Sequence, residues 1–356
     1  MASPLRIGVL TFHRCINYGS YWQARCLVEG LRKAGADAVL LDHDSPGVNR
    51  TEWRCALQPL LPVRTRKADY PLYASKTRRF LRALKALPRS APFRLEAPAS
   101  AHDYDLVIVG SDEVWNLRHP WYGGQALFYG AGLDARRLVS YAASFGNHDA
   151  ADGLEPRWVE ALRGFAALSV RDENSRALIR SVLGQEPTLV LDPCLQFPPA
   201  VPPQEGADES PYVAVYGHSF PSWFKEAVRR WAASERLRLV SIGYRNDWAD
   251  EQRIAAGPEE FARLMAGARA VATNFFHGCV FALLNGKPFA CVASAYRSNK
   301  LRDLTGALGA SRHLVEEEAG APAYARLLGE PLDPGIFRRI AALRRQSDAY
   351  LATALG

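Results

Sequence analysis

"ATNFFHGCVFALLNGKPFA", residues 272–290, carries one histidine and one glycine where an apolar strand turns into an apolar helix. The run Ala270–Thr273 predicts a buried strand, the residues after Gly278 a helix, and Pro288–Val292 a second strand. A helix between two short apolar strands is a crossover, so the strands lie parallel in one sheet. The same rhythm continues on both sides. Ahead of it come strand Tyr212–Tyr216, helix Ser222–Ala233, strand Arg238–Ile242 and helix Pro258–Ala266; behind it come helix Lys300–Leu308 and a terminal helix, Ile336–Leu355.

Further towards the amino end, "FPPAVPPQEGADESP", residues 197–211, interrupts the alternation with five prolines. Before that stretch the pattern repeats in strands Leu5–Leu10, Ala38–Leu41, Asp105–Val109, Leu138–Ala142, Ala167–Val170 and Thr188–Leu191, with helices at about Tyr21–Lys33, Pro156–Phe165 and Asn174–Leu183. The expected class is therefore α/β: two Rossmann-like domains with mostly parallel sheets facing across a cleft, the GT-B-like arrangement of B-type glycosyltransferases. The expected boundaries are a first domain over 1–198 with a basic insertion at 64–94, a linker at 199–211, a second domain over 212–332, and a terminal helix at 333–356.

Composition narrows the function. A chain of 356 residues, 48% hydrophobic and 23% charged, matches globular protein and exceeds one ordinary core. The apolar run Ile7–Leu10 near the start is too short for a signal peptide or a membrane span, which predicts a cytoplasmic protein. Cysteines 15, 26, 55, 194, 279 and 291 form no CxxC pair and no ligand cluster, so neither a zinc site nor a disulfide framework is expected. The net charge of +7 is concentrated: residues 64–94 hold ten Lys/Arg against a single acid, Asp69. Within that stretch Phe80, Leu81, Leu84 and Leu87 recur at helical spacing. A charged helix covering the first domain and a basic amphipathic helix for an anionic membrane surface both fit the pattern. No nucleic-acid module accompanies the cations, and none is expected to bind.

Several constellations carry chemistry. His277 is expected where strand gives way to helix, where the positive end of a helix dipole welcomes phosphate or carboxylate; Asn274 and Gly278 flank it. An anion bound there would favour imidazolium and make the histidine an acid. "SVRDENS", 169–175, places Arg171 past another strand, either as a fork for an anion or in a salt bridge to Asp172 or Glu173, before a helix capped by Asn174 or Ser175. "VGSDEVWN", 109–116, offers Ser111, Asp112 and a tryptophan, Trp115, able to stack on a sugar. "INYGSYWQA", 16–24, puts Asn17, Tyr18 and Gly19 after the first strand, where backbone N–H groups can meet an anion; it lacks dinucleotide spacing. Ser144 closes a similar strand end. "DHD", 42–44, has a carboxylate pair but no wider metal pattern, and Asp192 of "LDPCLQF" is a candidate to orient Arg171.

Taken together, "NYGSYWQA", "DLVIVGSDEVWN", "YAASFG", "SVRDENS", "LDPCL" and "TNFFHGCVFALLNGKPF" resemble, in order and spacing, the polysaccharide pyruvyl transferase family over about residues 6–308. The resemblance implies transfer of the enolpyruvyl group of phosphoenolpyruvate to two hydroxyls of a sugar or lipid-linked glycan acceptor, as a ketal, with release of phosphate. It implies His277 as acid/base, Arg171 as a donor ligand, and no metal or redox cofactor. Where family members resemble Arg-Leu-His-Gly, this chain has Phe275-Phe276-His277-Gly278, so Lys287, Arg297 or Lys300 would have to supply the cation. Two other functions share the architecture: glycosyl transfer from a nucleotide sugar, and glycan or membrane binding without turnover.

Overall fold

In the computed structural model, residues 4–97, 103–201, 211–294, 298–317 and 319–356 are described; most of the expected linker and Arg297 lie outside them. The chain forms two units, each discontinuous in sequence: residues 1–52, 86–198 and 339–356 in the first, and 53–85 and 199–338 in the second.

The first unit is built on strands β1 (Arg6–Leu10), β2 (Asp37–Leu40), β3 (Tyr104–Val109), β4 (Ala135–Ser140), β5 (Ser169–Val170) and β6 (Thr188–Leu189). Four of them form a parallel sheet in the order β2-β1-β3-β4, and bridges Val139 to Ala167 and Ala143 to Val170 carry the pairing on to β5 and β6. Both faces are covered, so β1 and β3 are buried through Ile7–Leu10 and Leu106–Val109. The chain leaves β1 for β2 on one side and returns to β3 on the other. That reversal makes the carboxyl ends of β1 and β3 the switch point of the sheet, where such folds place ligands.

The terminal helix, Pro334–Leu355, completes this unit instead of standing apart: Ser347 Oγ accepts the Leu191 N–H at 3.0 Å, and Tyr350 donates to the Ser140 carbonyl at 2.6 Å.

The second unit carries β7 (Tyr212–Tyr216), β8 (Arg238–Ile242), β9 (Glu251–Arg253), β10 (Ala270–Thr273) and β11 (Phe289–Cys291), all parallel in the order β9-β8-β7-β10-β11. Its switch point lies between β7 and β10.

The basic segment differs from expectation. Its helix spans Tyr70–Lys85, and residues 53–85 belong to the second unit, not the first. The reason is the stripe Tyr73, Lys76, Phe80 and Leu84, buried at helical spacing, together with polar ties. Asp69, 2% exposed, accepts Arg245 through both oxygens at 2.5 and 2.6 Å, and the Arg245 N–H donates to Tyr73 Oη at 3.1 Å. Lys76 Nζ donates to the Gly243 carbonyl at 2.9 Å, just past the carboxyl end of β8.

Candidate functional site

In the second unit the loop after β10 delivers Asn274, Phe275 and His277 to the switch point. His277 is the second residue of helix Phe276–Leu284, whose cap residue, Phe275, contributes no side-chain hydrogen bond. The imidazole is buried, 7% exposed, and sits edge-on to Phe276. Asn274, also buried, donates to the His218 carbonyl at 2.7 Å, while its Oδ1 has no partner among the described residues. Phe275 packs edge-on to Tyr216, His218 and Tyr244, so an apolar ring fills the position two before the histidine. Lys76 reaches the same edge: its Nζ lies 4.3 Å over the Tyr244 ring, and burial lowers its pKa to about 7.

Gly278 has a packing reason. A Cβ there would lie 2.0 Å from Thr273 Oγ1, the hydroxyl that donates to the Tyr216 carbonyl at 2.6 Å and accepts the Phe275 N–H at 3.1 Å. The close approach is made by the strand end. Lys287 is excluded from the switch point by register. Val271 pairs with Phe289, so Lys287 stands at the amino edge of the sheet beside Arg269; burial and that neighbour lower its pKa. Lys300, in the first turn of helix Ser298–Ala307, follows the carboxyl end of β11 and is on the histidine's edge.

In the first unit, the loops after β1, β3, β5 and β6 converge on Asp112. Its Oδ2 accepts Ser20 Oγ at 2.9 Å, and its Oδ1 accepts Arg171 at 3.1 Å; the other end of that guanidinium donates to Asp192 Oδ2, also at 3.1 Å. Asp192 thus orients Arg171 as the sequence suggested, but the expected pairings with Asp172 or Glu173 give way to Asp112 and Asp192. The Arg171 side chain is 2% exposed. Burial alone would lower its pKa, and Asp112, Asp192, Glu113 and Asp172 outweigh that and raise it. This edge is rich in carboxylate, and the arginine organises it instead of offering an open fork.

Other expected residues of this unit have internal tasks. Asn17 caps helix Tyr18–Lys33, accepting the N–H groups of Gly19 and Ser20 at 2.8 and 3.2 Å, so these amides are engaged rather than aimed at an anion. Tyr18 is fully buried. Trp115, expected to stack on a sugar, is 0% exposed; its indole N–H donates to the Phe128 carbonyl at 2.9 Å among Tyr129, Phe145 and Phe165. Its size favours the core. Ser111 is buried, with its carbonyl held by Thr11 Oγ1 at 2.8 Å, and Ser144 ties the β3 and β4 loops by donating its N–H to the Asp112 carbonyl at 3.0 Å. Helix Glu173–Leu183 is capped by Asp172, whose carboxylate accepts the Ser175 N–H at 2.8 Å.

The "DHD" carboxylates are committed too. Asp42 accepts His13, Arg14 and Arg89 at 2.8 Å each, and Asp44 accepts Arg14 at 2.9 Å. Burial would raise the Asp42 pKa, but the His13 and Arg14 hydrogen bonds carry it well below the usual carboxylate range. Burial, with His13 alongside, lowers His43 to about 3.

Parallel α/β units with polar groups gathered at both switch points define the GT-B-like class. A family model described as polysaccharide pyruvyl transferase matches residues 17–296, and the chain belongs to that family. Among solved structures it is similar to a putative UDP-N-acetylglucosamine 2-epimerase from Listeria monocytogenes, with 10% identity, TM-score 0.54, and coverage of 99% of this chain and 96% of the other. It is also similar to S. aureus MnaA in its UDP co-structure, with 12% identity, TM-score 0.51, and coverage of 95% and 91%. No curated protein matches it by sequence. Among the described residues, no helix is long and apolar enough to cross a membrane.

Proposed function

We propose that this chain is a pyruvyl transferase that uses phosphoenolpyruvate to form a pyruvate ketal on a sugar of a cell-surface polysaccharide or a lipid-linked glycan precursor. The observation that supports this reading is His277 in the first turn of Phe276–Leu284, at the switch point of the second unit. The helix dipole favours the anionic donor there, and Lys300 on the same edge adds positive charge. The histidine is assigned as the general acid that protonates the methylene carbon of the donor. That leaves an oxocarbenium-like C2, which one sugar hydroxyl attacks. Phosphate departs, the second hydroxyl closes the ring, and of the two hydroxyl protons one returns to the imidazole while the other leaves on the phosphate. Asp112, held by Arg171 and more exposed than Asp192, is assigned to a sugar hydroxyl, for which a carboxylate is a strong acceptor. Arg171 is then a positioning residue. The acceptor is assigned to the cytoplasmic face of a membrane.

Acceptor-dependent phosphate release from phosphoenolpyruvate tests the reading. His277→Ala should lower the rate by about 100-fold or more, the usual scale of a lost general acid. A rate within about tenfold of the parent, or thermal stabilisation by UDP with none by phosphoenolpyruvate, would reject it.

A further inference from the structure

Large apolar side chains left in water are ordinary when scattered and informative when gathered. Here Val63 (65% exposed), Trp53 (56%) and Leu61 (45%) lie within eleven residues and exceed the other exposed large hydrophobics described. Trp53 stands one turn before the end of helix Pro46–Leu57. The loop that follows is closed at its base: Thr65 Oγ1 donates to the Leu57 carbonyl at 2.8 Å, the Thr65 N–H donates to Gln58 Oε1 at 2.9 Å, and Gln58 donates to Tyr70 Oη. The exposed tip is Leu61-Pro62-Val63-Arg64. Because the base is fixed, little backbone freedom remains to be lost when the tip enters another phase.

Charge identifies that phase. Arg54, Arg64, Arg66 and Lys67 surround the apolar residues in sequence and are exposed, and no acid lies between Trp53 and Ala68. The flanking acids are withdrawn: Glu52 is buried, and Asp69 is buried against Arg245. Arg66 has one exposed counter-ion, Asp247. A three-residue apolar tip ringed by cations suits the headgroup zone of a bilayer, where apolar atoms enter the acyl boundary and cations meet anionic lipid.

We propose that the loop Gln58–Thr65, with Trp53 beside its base, docks the protein on an anionic lipid surface. The purpose assigned to it rests on the acceptor being presented at a membrane, while the docking itself is measurable without substrate. Flotation with vesicles of phosphatidylglycerol and phosphatidylcholine, against phosphatidylcholine alone, reads it directly. The full chain should partition to the anionic vesicles, with each engaged cation worth about fivefold at low salt. Leu61→Ser with Val63→Ser should lower partition by about tenfold or more, by loss of apolar burial. A Val63→Cys variant carrying an environment-sensitive fluorophore, in a Cys55→Ser background, should brighten on anionic vesicles only.

Equal partition of the double serine variant, equal binding to neutral vesicles, or no partition at low salt would overturn the proposal. Concentration-dependent self-association lost in the double variant would also overturn it, in favour of a second copy as the occupant. Turnover of phosphoenolpyruvate with a water-soluble acceptor, measured on the same proteins, separates the two readings. Absence of turnover with vesicle binding intact rejects the proposed reaction and leaves the docking surface standing.

Discussion

Replacing Lys76 by methionine should abolish the rise of the second unit's stability with pH that this lysine produces. The lysine is 4% exposed, and burial moves its pKa from 10.5 to about 7. Between those values the unfolded chain holds the proton and the folded chain does not, so stability rises with pH across that window and is lowest below about pH 7. At 1.36 kcal/mol per unit, with rounding at both ends, the gain from pH 7 to 9.5 is about 3 kcal/mol. Methionine abolishes that slope. It also leaves the Gly243 carbonyl without its donor, a loss of about 1–3 kcal/mol.

The variant should therefore match or exceed the parent at pH 7 and fall below it at pH 9.5. The neighbouring groups do not mimic this behaviour: Tyr73, raised to about 12, stays neutral over the window, and the hydrogen bond to Asp69 raises the pKa of Arg245. The measurement is hydrogen exchange of peptides from helix Tyr70–Lys85 in graded urea at both pH values. A Lys76→Met protein with the parent's pH slope would refute the argument.

Two further substitutions probe the geometry of the sites. Gly278→Ala should destabilise the second unit by about 3–5 kcal/mol, because the methyl displaces Thr273 Oγ1 from two hydrogen bonds; urea unfolding checks it, and a loss below about 1 kcal/mol contradicts the packing account. Asp172→Ala removes the cap of helix Glu173–Leu183 and should cost about 1 kcal/mol, with faster exchange of the first-turn amides as its local signature.

Much of the fold was legible because buried parallel strands are continuous apolar runs ended by turn residues. β7, β8 and β10 fall where the sequence placed them. Strand β4 did not. It runs over Ala135–Ser140 instead of Leu138–Ala142, because its ladder with β3 begins at half-exposed residues that carry no apolar signal. Helix starts shifted where a cap intervened: Asn17 and Asp172 each set a boundary earlier than apolar periodicity suggested. The strand-end motifs do fall at carboxyl strand ends, since a loop there is a local property, whereas the strand order that makes two of those ends switch points is not.

What each side chain does there depends on partners far along the chain. Arg171 meets acids 59 and 21 residues away, and Trp115 turns into a core assembled from the Phe128 and Phe165 regions. Lys76 hid in a run of cations, although its spacing with Tyr73, Phe80 and Leu84 marks the buried stripe.

The order in which the chain emerges from the ribosome gives the terminal helix an additional consequence. The first unit's sheet is fully synthesised by residue 198, yet the groups that satisfy the Leu191 N–H and cover the Ser140 carbonyl belong to Ser347 and Tyr350. That core waits for nearly the whole second unit to be made before its last surface is sealed. Cutting the gene at the proline-rich stretch would separate the sheet from its own closing helix and also strand residues 53–85 on the wrong fragment, so neither half would contain a whole unit.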